Sequence, residues 1–280
     1  MINGFLLVNK DFGVTSSRVV QILKKKFNLK KVGHLGTLDP MATGLLIIAI
    51  NRATKFASLL LQSEKSYRAE VTLGIQTNTD DAEGEVVSLK DININESRAE
   101  EALLTFLGES DQLPPNYSAL KHKGKPMYKY ARDGIKVEKA ARKILIKNIQ
   151  NIEIDLPKVS FDIQCSKGTY IRSIARDLGL RLGCGAHLSK LIRTSQKKFM
   201  LSDACSLDDI NLEKLISLEN AFDDLDFIQL NERDSAVFLH GRSIETDFDH
   251  THLLRVYDAE NKFIAIGKNT TMGFKHEYLV

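Results

Sequence analysis

The stretch KVGHLGTLDPMATGLLIIAI, residues 31–50, carries a turn that leads directly into an apolar segment, and it decides how this part of the chain folds. The segment LLIIAI, residues 45–50, is short and partly β-branched, which predicts a buried strand. The preceding GTLDP is rich in turn formers and contains one acid, Asp39. Such a carboxylate either caps the backbone of its turn, as Asp often does, or carries out chemistry at the edge of the core.

The composition is that of an ordinary globular protein. The chain has 280 residues, 43% of them hydrophobic and 27% charged, so we expect one large domain and one small domain. The longest apolar runs are far shorter than the roughly 20 residues of a membrane span, and the N-terminus lacks a secretory pattern, so we expect no membrane association. Three widely spaced cysteines favour the reducing cytoplasm and disfavour a structural zinc site.

The charges are unevenly distributed although the net charge is only +3. Residues 121–147 contain ten Lys or Arg and two acids, and residues 165–200 contain eight Lys or Arg and one acid. Residues 203–226 reverse the balance, with eight acids and one lysine. Such blocks are either solvated helix faces or a surface that attracts polyanions, and we favour a nucleic-acid partner.

Periodicity predicts an α+β fold in which antiparallel strands alternate with helices. Residues 14–27 form a helix capped by the Thr15–Ser17 segment, and residues 66–74 alternate as a half-buried strand. Ser97 and Glu100 make a capping-box pattern before another helix.

The second half of the chain continues this alternation. Residues 158–182 predict a strand, a glycine turn and a helix from about Thr169. The acidic residues 203–226 predict a helical connector, and two alternating runs within residues 253–269 predict a small β-rich C-terminal domain.

Several kinds of site are disfavoured by residue spacing. The chain has no dinucleotide-binding glycine motif and no phosphate-loop motif, so we expect no cofactor, and its scattered histidines disfavour a metal. Cys184, three residues before His187, is better explained as a buried thiol than as a nucleophile. Asp80 and Asp81 lie in a polar segment that we expect to be solvated, so they do not provide the second acid of a paired-carboxylate hydrolase.

Three side chains complete the candidate site around Asp39. Tyr170 and Arg172 fall at the start of the predicted helix, where the guanidinium could pair with a carboxylate and keep it ionised. Tyr67 falls at the start of a strand, where its ring either packs in the core or stacks on a ligand. Basic segments interleaved with tyrosines are typical of proteins that hold unpaired RNA bases; these are Tyr117, Tyr128, Tyr130 and Tyr170.

Four motifs in register then closely resemble the bacterial TruB family of tRNA pseudouridine-55 synthases. They are GHLGTLDPMATG, KSYRAEVTLGIQTNTDDAEGE, QLPPNYSALKHKGKPMYKYARDGIKV and CSKGTYIRSIARDLGLRLGCGAHLSKLIRT. The resemblance covers roughly residues 1–200. It implies a pseudouridine-synthase catalytic domain over residues 1–225, with an RNA-clasping insertion at about 112–147, and a PUA-like RNA-binding domain over residues 226–280.

The resemblance also implies a role for each candidate residue in isomerising uridine 55 of the tRNA T-loop. Asp39 would be the catalytic aspartate and Arg172 its salt-bridge partner. The remaining residues would surround the flipped-out nucleotide: Tyr67 against the uracil ring, Tyr170 and Leu191 in the base pocket, His34 near the nucleotide, and Lys10 as a supporting residue. At position 11 the family usually has proline, whereas this chain has Asp11.

The chemistry implied by this resemblance agrees with the residues. Isomerising uridine requires one carboxylate, which either adds to C1′ or takes the C2′ proton, and it requires no metal or cofactor. The partner would be the T-arm of tRNA and the enzyme a cytoplasmic monomer. Two alternatives stay open: a non-catalytic RNA-binding or RNA-folding protein, and a guide-RNA-dependent synthase of the dyskerin type.

Overall fold

The computed structural model describes residues 2–118, 120–122, 124–135, 137, 139–245 and 252–280. Its first part alternates strands and helices. In chain order these are β1 Gly4–Lys10, α1 Ser16–Lys26, β2 Val32–His34, β3 Thr43–Ile50, α2 Ala57–Leu61, β4 Lys65–Leu73, β5 Ile75–Thr77, β6 Val86–Leu89, α3 Glu96–Leu104 and β7 Gly108–Gln112.

The second part completes the main sheet and adds a C-terminal unit. Its elements up to residue 200 are β8 Lys121–His122, β9 Lys125–Pro126, α4 Met127–Arg132, β10 Arg142–Asp155, β11 Lys158–Cys165, α5 Ile171–Leu182, β12 Ala186–Gln196 and β13 Phe199–Met200. Those that follow are α6 Leu218–Ala221, β14 Phe227–Gln229, α7 Glu232–Leu239, β15 Leu254–Tyr257, β16 Phe263–Thr270 and β17 Gly273–Leu279. No helix of the described segments is long and apolar enough to cross a membrane.

The main sheet is mixed and mainly antiparallel, as the sequence predicts. Its strand order is β1-β3-β12-β4-β11-β10-β7, with β2 beside β3 and β13 beside β12. The pairing of β3 with β12 is parallel, through Thr43 and Ile192, and the other pairings in this order are antiparallel. Because β12 lies between β3 and β4, the sheet brings residues near position 190 next to residues near positions 43 and 68.

Two strands and one helix form as their sequence patterns predict. β3 is buried along almost its whole length, and β4 buries every second side chain, beginning with Lys65 and Tyr67. Helix α1 is capped by Thr15, whose side chain accepts a hydrogen bond from the backbone of Arg18, and Val19 faces the core.

Two predictions of local structure are wrong. Helix α3 is capped by Asn95, whose side chain accepts from the backbone N–H of Arg98, and Ser97 lies inside the helix. The acidic residues 203–226 are mostly irregular and contain two short 3₁₀ turns and the four-residue α6. High acidity alone therefore did not indicate a helix, because this segment lacks a sustained apolar face.

The C-terminal strands β14 to β17 form a separate four-stranded sheet, as expected for a β-rich unit. This unit shares an apolar cluster with the part of the chain that precedes it: Tyr257, Phe263 and Ile266 pack in the same cluster as Phe56 and Phe222. The Arg52 guanidinium also donates to the Val280 carbonyl at 2.6 Å. Removing the unit would therefore expose core surface of the larger part.

Candidate active site

Asp39 lies in the connection between β2 and β3, which is held from two sides. The Ser16 hydroxyl accepts from the Leu38 N–H at 2.9 Å, and the Pro40 carbonyl accepts from the Gly13 N–H at 2.8 Å. The Lys10 ammonium also donates to the Pro40 carbonyl, at 3.2 Å. The residues on either side of Asp39 are therefore fixed, which aims its carboxylate.

The Asp39 carboxylate pairs with Arg172. The Arg172 Nε lies 3.0 Å from Asp39 Oδ2, and Nη2 donates to Oδ1 at 3.3 Å. In the described chain this guanidinium, rather than a backbone N–H, is the hydrogen-bond partner of the carboxylate. The capping explanation for Asp39 is therefore not supported, and a bidentate pair that fixes its orientation takes its place.

Arg172 is positioned by the start of α5. The side-chain oxygen of Gln112 accepts from the Tyr170 N–H at 2.8 Å, and its amide donates to the Tyr170 carbonyl at 3.1 Å, so Gln112 fixes the backbone that precedes the helix. The Arg172 side chain is buried, and it also donates to the carbonyls of Tyr117 at 2.8 Å and Thr79 at 3.3 Å.

A second carboxylate binds the same guanidinium, which corrects a prediction from the sequence. Asp81 is 3% exposed and its Oδ2 lies 3.3 Å from Arg172 Nη1. The Thr79 hydroxyl and the Glu83 N–H both donate to its Oδ1, at 2.5 and 3.1 Å. Asp80 is also buried, at 9% exposed, and pairs with Arg176 at 3.4 Å. Neither acid is solvated, because β5 and β6 fold their connecting turn against β12 and α5.

The electrostatics of Asp39 combine opposing effects. Burial raises the pKa of its carboxyl above the ordinary value, and the nearby Asp81 charge acts in the same direction. The positive charges of Arg172 and Lys10 lower this pKa. Arg172 therefore offsets part of the free-energy cost of keeping the Asp39 carboxylate ionised in this partly buried position.

A cleft of about 680 Å³ opens in front of Asp39. Five of the seven residues singled out from the sequence line this cleft: Asp39, Tyr67, Tyr170, Arg172 and Leu191. They come from four separate segments of the chain, which the strand order β3-β12-β4 and the start of α5 bring together. The cleft therefore combines the oriented Asp39 carboxylate with aromatic and apolar walls, and the acids Asp81 and Glu83 also line it.

The other two candidates are not among the residues that line the cleft. Lys10 is fully buried, and its ammonium also donates to the carbonyls of Asp11 and Val14. Burial lowers the pKa of Lys10 to about 8. His34 lies on β2 outside the residues that line the cleft, and burial together with the Arg193 charge lowers its pKa.

Arg193 is a component of the site that the sequence did not reveal. It was counted in a basic surface block, yet it is 1% exposed and lines the cleft. Its guanidinium donates to the carbonyls of Leu45 at 2.6 Å and Gly36 at 3.1 Å, and it hydrogen bonds with Tyr67. Burial raises the pKa of Tyr67 to about 12, so its phenol remains protonated near neutral pH.

The basic block at residues 165–200 is therefore not one continuous surface, since Arg172 and Arg193 belong to the interior. The alternation of β12, which points Arg193 inward, could have indicated this. Within the insertion, Lys123 and Lys136 lie outside the described residues, and so does the side chain of Tyr128. Among the described residues, no group of three His, Cys, Asp or Glu is placed to hold a metal ion.

Comparison with known proteins agrees with this fold. The family model "TruB family pseudouridylate synthase (N terminal domain)" matches residues 24–171. Two further models match the segments that follow: "tRNA pseudouridylate synthase B C-terminal domain" over residues 172–230 and "Pseudouridine synthase II TruB, C-terminal" over residues 227–273.

Curated relatives cover most of the chain. A "tRNA pseudouridine synthase B" of Thiobacillus denitrificans is 39% identical over 95% of this chain and 92% of its own length. A "tRNA pseudouridine synthase B" of Francisella tularensis is 44% identical over 95% of this chain and 91% of its own length. A solved "Cbf5-Nop10-Gar1 Complex" contains a chain with a TM-score of 0.72 and 26% identity, matching 99% of this chain and 84% of that one.

This mixed, mainly antiparallel sheet, followed by a separate C-terminal sheet, is thus the architecture of a pseudouridine synthase. By family model and by identity over nearly its whole length, the chain belongs to the TruB family.

Proposed function

We propose that this protein isomerises uridine 55 in the T-loop of tRNA to pseudouridine, with Asp39 as the catalytic residue. The bidentate Asp39–Arg172 pair facing the 680 Å³ cleft carries the proposal. The names of the TruB relatives supply the class of substrate. The T-loop position comes from the resemblance of the motifs.

The proposed reaction is balanced without a co-reactant. The N1–C1′ bond breaks, the base turns, and a new C5–C1′ bond forms. The proton released from C5 is exchanged with solvent, and N1 ends protonated, so product and substrate are isomers. One carboxylate serves this sequence in either of two ways, by adding to C1′ or by taking the C2′ proton. Both require Asp39 to be ionised and aimed into the cleft.

The supporting residues each act on Asp39 or on the base. Arg172 keeps the carboxylate charged and oriented. Lys10 holds the carbonyl of Pro40, which follows Asp39, and so supports the catalytic turn. Tyr67 would stack on the uracil ring, close to C5, and its high pKa suits a neutral phenol in this role.

The remaining contacts concern the extruded nucleotide. Tyr170 and Leu191 would complete the walls of the base pocket, and His34 would act near the nucleotide at the edge of β2. A uridine inside a folded loop must leave its stack to reach Asp39, which is how enzymes that modify bases gain access to them.

We further propose that the RNA is gripped by the insertion at 112–147 and by the unit at 226–280, around a catalytic domain at 1–225. The insertion carries the whole of the basic block at residues 121–147, and basic segments beside an aromatic cleft support binding to a tRNA arm. A tRNA substrate implies a cytoplasmic enzyme, and we propose that it works as a monomer.

Two other functions are less well supported. A protein that only binds or folds RNA would not need the Asp39–Arg172–Asp81 arrangement, although a role in tRNA folding can accompany catalysis. A guide-RNA-dependent synthase shares this fold, but the two curated relatives that cover 95% of the chain are tRNA enzymes by name.

The test is pseudouridine formation in an unmodified tRNA transcript by the wild type and by Asp39→Asn. We expect product at the T-loop uridine with the wild type and none with the variant, while both bind the tRNA. Asp91→Asn, which changes an exposed acid elsewhere, is the matched control and should remain fully active. Binding without any product from the wild type would contradict the proposal.

A further inference from the structure

The loop between β1 and α1 carries an exposed aromatic ring beside the catalytic turn. Phe12 is 71% exposed and belongs to none of the three apolar clusters among the described residues. Phe227, which is 65% exposed, differs because its ring has an edge contact with Tyr257. Phe12 therefore leaves a large apolar surface in water without packing in the core.

The backbone that carries Phe12 is rigid. The Gly13 N–H donates to the Pro40 carbonyl at 2.8 Å, and Lys10 donates to the carbonyls of Asp11 at 2.9 Å and Val14 at 2.6 Å. These bonds hold the residues on both sides of Phe12. A ring presented by a fixed loop loses little conformational entropy when a ligand packs on it.

The position of the loop identifies the ligand. Pro40, to which the loop is bonded, lines the cleft next to Asp39. Under the proposed function, the nucleotide that enters the cleft leaves its stack, so a neighbouring base also loses a stacking partner. An aromatic ring on the loop that is bonded to Pro40 can replace that partner, because every base has a π-face.

The charges near the loop favour RNA over an apolar protein partner. Helix α1, which follows the loop, has no acid in its first turn and three lysines in its last. The Asp11 carboxylate, by contrast, disfavours a phosphate directly on the loop. This combination fits contact with a base at Phe12 and with the phosphate backbone farther along the helix.

We propose that Phe12 is a base-stacking residue, which packs on an unpaired base of the tRNA adjacent to the extruded nucleotide. This inference rests on the proposed function. Phe12 acts on substrate binding and not on the chemical step.

Binding measurements test the inference directly. Phe12→Ala should raise the KM and the Kd for the tRNA by roughly 5- to 50-fold while kcat changes less than about twofold, as expected when one base–aromatic stack is lost. Phe12→Leu should bind the tRNA as weakly as Phe12→Ala, since it keeps an apolar surface but has no ring. Phe12→Tyr should bind the tRNA like the wild type. Leu180→Ala is the control, because Leu180 is 61% exposed on α5, away from the cleft.

Fluorescence gives a second readout, because the chain contains no tryptophan. Phe12→Trp introduces a single reporter whose emission should be quenched when the tRNA stem–loop binds, and Leu180→Trp should show no such quenching. A series of stem–loops with one abasic nucleotide each should contain one position, next to the target uridine, that abolishes the quenching at Phe12→Trp.

The outcomes separate the two proposals. Affinity of Phe12→Ala within about twofold of the wild type, full rescue by Phe12→Leu, or unquenched Phe12→Trp at saturating RNA would each overturn the stacking role. Loss of the proposed function is detected independently, by absence of pseudouridine with the wild type. The binding arms are repeated in an Asp39→Asn background, so the test of Phe12 does not depend on turnover.

Discussion

Replacing Arg172 with methionine is the sharpest test of the clamped carboxylate. The guanidinium contacts Asp39 at 3.0 and 3.3 Å and Asp81 at 3.3 Å. Methionine keeps most of the side-chain volume and removes every charged contact. The substitution therefore leaves two acids beside each other with no guanidinium between them.

The expected cost follows from the burial of these acids. Removing one partner of a buried ion pair destabilises a protein by about 3–5 kcal/mol. The Asp81 side chain is 4% exposed, so it bears the full desolvation penalty of an unpaired buried charge. The Asp39 side chain is 37% exposed, so solvent reduces the penalty of leaving it unpaired. We expect Arg172→Met to lower the free energy of unfolding by about 3–4 kcal/mol.

The effect on catalysis has a direction in pH. Arg172 lowers the pKa of Asp39, so its loss raises this pKa further. Because the reaction needs the ionised carboxylate, activity falls as the pH drops through that pKa, and the acidic limb of the kcat profile should move to higher pH in the variant. Urea unfolding and a pH–rate profile measure the two effects separately.

The control is the double variant Asp81→Asn/Arg172→Met. A neutral amide needs no cation, so the double variant should be more stable than Arg172→Met by about 1–2 kcal/mol. The reasoning is refuted if Arg172→Met unfolds within about 1 kcal/mol of the wild type, or if the costs of the two substitutions simply add.

Three further substitutions and one glycine control test other parts of the site. Gly44→Ala should lower the free energy of unfolding, measured by urea titration, by more than about 2 kcal/mol, because φ is +95° and a Cβ would lie 2.4 Å from the Arg193 carbonyl oxygen. Gly13→Ala is the control: its φ is +78° but a Cβ there would meet open space, so it should cost only about 1 kcal/mol. Lys10→Met should change the pH dependence of stability, because the pKa of Lys10 falls to about 8 in the folded protein. Between about pH 8 and 10.4 the unfolded chain therefore binds more protons than the folded protein. Over this range the free energy of unfolding of the wild type should rise by up to about 3 kcal/mol relative to that of the variant. A difference in the free energy of unfolding between the two proteins that stays constant over this pH range would contradict the prediction. Tyr67→Phe should cost about 1–2 kcal/mol of stability, since Arg193 loses a buried hydrogen-bond partner. The affinity for tRNA should stay unchanged, because the ring remains. Weaker RNA binding by this variant would argue against stacking by the ring.

Local patterns predicted the elements that carry the site. The apolar run at residues 45–50, the alternation in residues 66–74 and the helix after Gly168 all appear in the structure. These patterns succeed because the side-chain periods of strands and helices differ, and each places its apolar residues on one face. The pairing of Arg172 with Asp39 was also expected and is present, although their assignment to catalysis remains a proposal.

The errors arose where one part of the chain folds against another. Asp81 looked like a solvated turn residue because its own segment is polar, yet β12 and Arg172 cover it. Arg193 looked like surface charge because its neighbours in sequence are basic, yet its position on β12 turns it toward Leu45.

The sequence by itself therefore determined the strands and the helix that carry the site, and the four motifs that mark the family. Apart from the expected pairing of Arg172 with Asp39, the tertiary structure alone decided which charged groups are buried and which partners they meet. The physical reason is that the cost of a buried charge depends on contacts across the sheet: Arg193 lies 148 residues from Leu45, and Arg172 lies 133 residues from Asp39. Local composition carries no information on such distances, whereas the strand order β3-β12-β4 sets them.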